Sequence, residues 1–395
     1  MRVTPSPLPE PDPEARAHSE RLLARIRAAV EDAGGVLPFD RYMQMALYEP
    51  GLGYYSAGAR RFGAGGDFTT APLESALFSR TLAAQCAAIL ESLGGGDVLE
   101  LGPGTGRMAA EVLAELERRA ALPARYLLLE VSAALRAQQQ ASLERSVPHL
   151  LPRVQWLDGW PRVPVTGVVL ANEVLDALPV KRFQTGREGP WELCVGVSGP
   201  ALDWSLAPAC EPLVAALAAL EADLGAPLPP SYVSEWCPLL EGWFRGLATS
   251  LARGAALFLD YGYPRSEYYH PQRAMGTLIC HYRHRAHDDP FFLPGLQDIT
   301  AFVDFTAAAE AGTSAGLELL GFTTQAQFLM GAGLPSLLEA VQQQGPDAEA
   351  VNATAQAKRL LMPSGMGEAF KVLGLGRGLE APLAGFGLAD HSHRL

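Results

Sequence analysis

The stretch Glu100-Leu101-Gly102-Pro103-Gly104-Thr105-Gly106 sets a carboxylate at the end of an apolar run and a glycine at every second position after it. A strand that turns through glycines into a helix lets a ligand meet bare backbone at a helix N-terminus. A dinucleotide turn reads GxGxxG because a pyrophosphate must reach that backbone, and here the third glycine comes one residue early. Glu100 would also repel a pyrophosphate, whereas it can accept a hydrogen bond from an ammonium or a hydroxyl. A cationic, phosphate-free cofactor is favoured, and S-adenosylmethionine has the required groups: an ammonium, a sulfonium, a ribose diol and an adenine. Glu100, Gly102, Pro103, Gly104 and Gly106 are its candidate contacts. A glycine-rich turn that holds no ligand is the plain alternative.

Further acids stand where other strands should end. Tyr126 to Leu129 leads into Glu130, which can accept from both ribose hydroxyls; the same geometry serves nicotinamide folds, and a solvated strand-end acid is the alternative. Val154 to Trp160 is a short apolar strand with Asp158 between two tryptophans. Asp158 can accept from an adenine amino group, but paired tryptophans are as often core packing. In VVLANEVLDALPVKRF, residues 168–183, a buried strand ends in Asn172 and Glu173 with Asp176 three residues on. Ligands of open α/β sheets lie outside the carboxyl ends of the strands, so Glu100, Glu130 and Glu173 should converge there. If a guanidinium is the acceptor, Glu173 and Asp176 are the catalytic candidates, because paired carboxylates grip that group bidentately. Asp176 serves equally well as a helix cap, and Asn172 either contacts ligand or shapes the turn. Asp260 and Tyr261, at another strand end, are second candidates for the acceptor pocket.

The elements that must position these groups follow a βαβ pattern. Strands are expected at 98–101, 125–130, 167–171, 255–260, 323–329 and 369–374, with helices at 74–93, 108–119 and 133–143. That is an α/β, Rossmann-like fold on a mainly parallel sheet. The 395 residues exceed what one core usually organises. A disordered tail is expected over 1–12, a helical N-terminal cap over 13–93, and the main domain over 94–395. Helical or hairpin insertions fall at about 185–250 and 334–362. QDITAFVDF should open a helix over the cleft, with Asp298 as its cap and Asp304 facing substrate, a cap or core position being the default for either acid.

A formal charge of -12 disfavours nucleic acid and anionic membrane as partners. No apolar run is long enough for membrane insertion, and the N-terminus has neither a signal-peptide core nor a transit-peptide composition. Five scattered cysteines suit reduced thiols, so a cytoplasmic location is expected. His281, His284 and His287 recur every third residue, but Arg283 and Arg285 between them would repel a cation, so no metal is expected.

Taken together, MALYEPGLGYY, GAGGDFTTAPLESALF, LELGPGTG, NEVLDALPVKRF, FLDYGY and MGEAFKVLGLGR resemble the class I S-adenosylmethionine-dependent methyltransferases and, within them, the MidA family. The resemblance implies a seven-stranded sheet whose last strand is antiparallel. It implies methylation of arginine on a protein acceptor, for mitochondrial members a subunit of respiratory complex I. It also places Asp67, Phe68, Thr69 and Thr70 near the cofactor. The chain departs from the family pattern at Leu73, Ser79, Arg107 and Met108. A noncatalytic assembly factor that binds the cofactor is the rival function, and a nicotinamide oxidoreductase a more distant one.

Overall fold

In the segment Asp97–Leu101 every residue is buried, as an apolar strand covered on both faces requires. This strand, β1, is central to a sheet seen here in a computed structural model that describes residues 8–57, 70–344 and 347–395. The other strands are β2 (Tyr126–Leu129), β3 (Val154–Leu157), β4 (Val165–Asn172), β5 (Leu251–Tyr263), β6 (Glu318–Thr324) and β7 (Phe370–Arg377). Their order is β6-β7-β5-β4-β1-β2-β3, and the two-residue strand Val303–Asp304 adds in parallel to β5. Strands β1 to β5 are mutually parallel, while β7 runs antiparallel to both β5 and β6. The fold is the expected Rossmann-like one, and the antiparallel last strand is present.

Helices α1 (Ala76–Leu93), α2 (Arg107–Arg118) and α3 (Ala133–Ser146) carry the chain between strands. Ser75 caps α1 by accepting from the Leu77 amide, and Gly94 ends it with a φ of 76°. Leu82, Ile89, Val98, Leu113, Leu128, Val168 and Leu257 share one core. Arg107 has a structural use: it bonds Glu111 at 2.9 Å and donates to the Leu73 carbonyl at 3.2 Å. Two further helices are α4 (Phe305–Ser314) and α5 (Gln325–Gly331).

The strand expected at 323–329 is displaced. β6 ends at Thr324, whose side chain accepts from the Gln327 amide and so caps α5 through residues 325–331. Asp304, and not Asp298, caps the helix after QDITAFVDF: its side chain accepts from the Ala307 amide, while Asp298 lies in a strand and accepts from the Tyr55 hydroxyl. Asp304 thus takes the cap position with Oδ1, while its Oδ2 accepts from Arg265.

The chain divides into two compact units, and the boundary is not the expected one at residue 93. The sheet unit holds 70–176, 240–268 and 302–395; the other takes the residues before 70 together with 177–239 and 269–301. In the second unit Trp191–Ser198 pairs with Ala201–Pro208 as a hairpin and with Lys181–Gln184, which pairs in turn with Val233–Trp236. Helices Pro13–Asp32 and Phe39–Tyr48 supply Leu22, Ile26, Phe39 and Tyr42 to a core with Val195, Cys280 and Ile299. Buried acids there are paired. Lys181 lies 3.1 Å from Asp40 and 2.7 Å from Glu192, and Glu235 accepts from the Thr277 amide and from Arg182. The histidine segment is a hairpin of Ile279–Tyr282 and Arg285–His287, with Arg283 and His284 at left-handed φ in its turn. Among the described residues no cluster could hold a metal ion, and no helix is long and apolar enough to cross a membrane.

Candidate cofactor and acceptor site

Gly102, Gly104 and Gly106 all adopt positive φ, at 62°, 52° and 75°, so the turn after β1 is one that other residues would strain. The three positions do different work. A Cβ on Gly106 would lie 2.9 Å from the Gln139 Cα, so this glycine lets α3 approach the turn. A Cβ on Gly104 would meet nothing within 4 Å, which leaves open space over the backbone. At Gly102 the nearest atom is the Val174 Cγ2 at 3.1 Å, which puts the loop after β4 directly against the glycine turn.

Glu100 is 1% exposed. Its Oε2 accepts from the Tyr126 hydroxyl at 2.6 Å, while Oε1 is buried with no hydrogen-bond partner among the described residues. Burial holds the carboxyl at a pKa of about 8, against the pull of Tyr126 in the other direction. An orphaned carboxylate oxygen beside an open glycine turn suits a cationic donor such as the cofactor's ammonium.

Glu130 follows β2 and is buried, which raises its pKa. Oε1 accepts from the Ser132 amide at 2.8 Å and Oε2 from Gln139 Nε2 at 3.1 Å. The Val131 amide bonds the same carboxylate, and the acceptor capacity that is left can meet a ribose hydroxyl. Asp158 follows β3 and is exposed, and Trp156 before it donates to Gln139. Thr70 precedes the short helix Ala71–Glu74, and its carbonyl accepts from the Leu73 and Glu74 amides. Asp67, Phe68 and Thr69 lie outside the described residues.

At the end of β4 Glu173 has a φ of 53°, a conformation that costs a residue with a Cβ of order 1 kcal/mol and persists only where its surroundings impose it. Its amide donates to the Leu259 carbonyl, and Asn172 Nδ2 donates to its Oε1 at 3.0 Å. Asp260, buried at the end of β5, supplies the rest of the restraint. Its Oδ2 accepts from the amides of Val174, Leu175 and Asp176 at 3.1, 2.9 and 3.3 Å, and Oδ1 accepts from the Tyr261 amide. Asp260 is thus a brace for the β4 loop, where sequence had suggested a wall of the acceptor pocket. Burial raises its pKa to about 7 despite those four amides. Asp176 is buried in a turn with no helix to cap, so that alternative for it falls.

Antiparallel β7 begins at the edge where β5 ends, with Lys371 opposite Asp260 and Phe370 opposite Tyr261. The Tyr261 and Phe370 rings are 3.9 Å apart, Phe302 stacks on both Tyr261 and Tyr263, and Lys371 Nζ lies 5.3 Å from the Tyr263 ring. Burial lowers the Lys371 amine to a pKa of about 8. Sequence reasoning missed Tyr126, Gln139 and Lys371. Only Gln139 had left a signal, as a polar residue in the stripe Leu135, Gln139, Leu143 that α3 buries.

A sheet in this order, with an acid-led glycine turn and further acids at its carboxyl edge, defines an S-adenosylmethionine-dependent methyltransferase. The chain belongs to the MidA family of these enzymes: residues 81–323 match the family model described as "Putative S-adenosyl-L-methionine-dependent methyltransferase". A superfamily member from Burkholderia thailandensis, whose crystal structure holds S-adenosyl-homocysteine, is 44% identical with a TM-score of 0.93, over 98% of this chain and all of that one. A native structure from the same organism gives 43% and 0.91 over the same shares. Among named relatives, "Protein arginine methyltransferase NDUFAF7, mitochondrial" of Mus musculus is 28% identical over 86% of this chain and 81% of its own. The Drosophila melanogaster homolog is 27% identical over 96% and 92%. S-adenosylmethionine is the cofactor, and the nicotinamide alternative is set aside.

Proposed function

We propose that this methyltransferase modifies an arginine side chain of a protein acceptor. The observation that carries the proposal is the β4 loop: it abuts the glycine turn through Val174 and presents Glu173 in a strained conformation that Asp260 enforces. The names of the mouse and fly relatives support the arginine acceptor. A respiratory complex I subunit, implied by the family resemblance, is one acceptor to assay.

When bound, the cofactor supplies a methyl group on a sulfonium, whose sulfur leaves with the bonding electron pair. Glu100 Oε1 and the turn at Gly102, Pro103, Gly104 and Gly106 hold its methionine end, and Glu130 takes the ribose. Asp158 and Asn172 complete the cofactor side, to which the family resemblance alone adds Asp67, Phe68, Thr69 and Thr70. Glu173 and Asp176 hold the acceptor guanidinium so that one nitrogen lone pair faces the methyl carbon, which is mainly a matter of positioning. The methylated nitrogen then gives up a proton, which Glu173 can accept.

The test is transfer of a labelled methyl group to an extract of the producing cell, followed by hydrolysis and amino-acid analysis. Label in methylarginines is expected. Glu173→Gln should lower turnover by about a hundredfold while S-adenosylhomocysteine binds within about twofold of wild type. Label confined to another amino acid would refute the arginine acceptor, and no label at all would favour the noncatalytic reading.

A further inference from the structure

Helix α3 buries one stripe, Leu135, Gln139 and Leu143, at intervals of four residues. The pattern calls for an apolar residue at its centre, and an amide there is costly unless every polar atom is satisfied. Gln139 is 0% exposed. Its Nε2 donates to the Gly104 carbonyl at 3.0 Å and to Glu130 Oε2 at 3.1 Å, and its Oε1 accepts from Trp156 Nε1 at 2.9 Å. Both N–H groups and the carbonyl are spent, one on the turn after β1, one on the acid after β2 and one on β3. Gly106 is what permits the approach, since a Cβ there would clash with Gln139 itself.

We infer that Gln139 is a positioning residue that aims the Glu130 carboxylate at the ribose diol and fixes it relative to the glycine turn. The inference rests on Glu130 being the ribose acid. With Ser132 holding Oε1 and Gln139 holding Oε2, and the Val131 amide bonding the same carboxylate, the group cannot swing. A glutamate at 139 would set two carboxylates against each other. An apolar residue would fill the stripe but leave Glu130 Oε2, the Gly104 carbonyl and the Trp156 N–H without this partner. Neither reproduces the function of an amide.

The test is calorimetric titration of the intact protein with S-adenosylhomocysteine and with its 2′-deoxyribose analogue. Wild type should prefer the ribose form by about tenfold or more, the worth of a hydrogen bond to a charged acceptor. In Gln139→Met that preference should fall to about threefold or less, because the hydroxyl no longer meets an aimed carboxylate. A residue that merely supports the fold would weaken both ligands alike and leave the ratio unchanged, which would overturn the inference. Gln139→Glu guards against loss of folding in the apolar variant, since its carboxylate can still accept from Trp156. Its ribose preference should likewise fall to about threefold or less; an undiminished preference would count against the inference. Glu130→Gln separates the levels. If it keeps the full ribose preference, the assignment of Glu130 is itself wrong; if it loses the preference and Gln139→Met does not, only the role of Gln139 fails.

Discussion

Replacing Glu100 by glutamine should make the free protein more stable in mild alkali and the cofactor weaker, two effects of opposite sign from one oxygen atom. The carboxyl is held at about 8, against 4.5 in an unfolded chain. Its folded pKa is raised, so the stability it allows is fully present below pH 4.5 and is lost as pH rises through about 8. At about 1.36 kcal/mol per pH unit, the interval from 4.5 to about 8 sets a ceiling of about 5 kcal/mol. Glutamine does not titrate, and its own carbonyl can still accept from Tyr126. Glu100→Gln should therefore melt above wild type at pH 8.5 and close to it at pH 5. Binding moves the other way. At Oε1 the variant presents an amide donor where the ammonium needs an acceptor, a loss of about 1.5–3 kcal/mol, or about 10- to 150-fold in Kd. With a pKa near 8, about nine-tenths of the free wild-type molecules carry the proton at pH 7, and a bound cation expels it. Calorimetry of S-adenosylhomocysteine in two buffers of different ionisation enthalpy should show close to one more proton released by wild type than by Glu100→Gln. The cofactor's own amine titrates in the same range, so the comparison between variants is what decides. Equal affinity and equal proton release in the two proteins would refute the assignment of Oε1 to the ammonium.

Gly104→Val combines left-handed strain of about 1–2 kcal/mol with a side chain standing in the open space over the turn. It should abolish S-adenosylhomocysteine binding in the calorimeter while the protein stays folded by circular dichroism. Asp260→Asn leaves a neutral oxygen to hold three amides in place of a carboxylate, so the β4 loop should loosen. Turnover should fall by about tenfold or more with the Kd for S-adenosylhomocysteine within about threefold; a change in Kd as large as that in turnover would contradict its role as a brace.

The sheet and its cofactor turn were legible because their causes are local. Buried parallel strands write themselves as apolar runs, and the acid and alternating glycines fall within seven residues. Misreadings arose where a local pattern had two solutions. The run GFTTQAQFL is apolar enough for a strand, but the Thr324 hydroxyl caps the backbone and turns its second half into a helix. Asp298 and Asp304 were both plausible caps, and the difference lies in which residue meets the first free amide of α4. The braces were out of reach for another reason. Asp260 serves amides 84 to 86 positions earlier, and Gln139 links three strand ends, relations that exist only once the sheet has closed.

The strand order has a consequence for synthesis. One edge of β5 pairs with β4, already made, but the other pairs with β7, which begins at Phe370, 107 residues after β5 ends at Tyr263. At about 5–20 residues per second, a translating ribosome takes about 5–20 s to cover that interval. For that time the apolar stretch Ala255–Leu259 has an unpaired ladder of amides and carbonyls on one side, the form in which strands recruit wrong partners. The nascent chain should therefore be most in need of a holding chaperone between the emergence of β5 and that of β7, and a ribosome stalled in this interval should yield an aggregation-prone product.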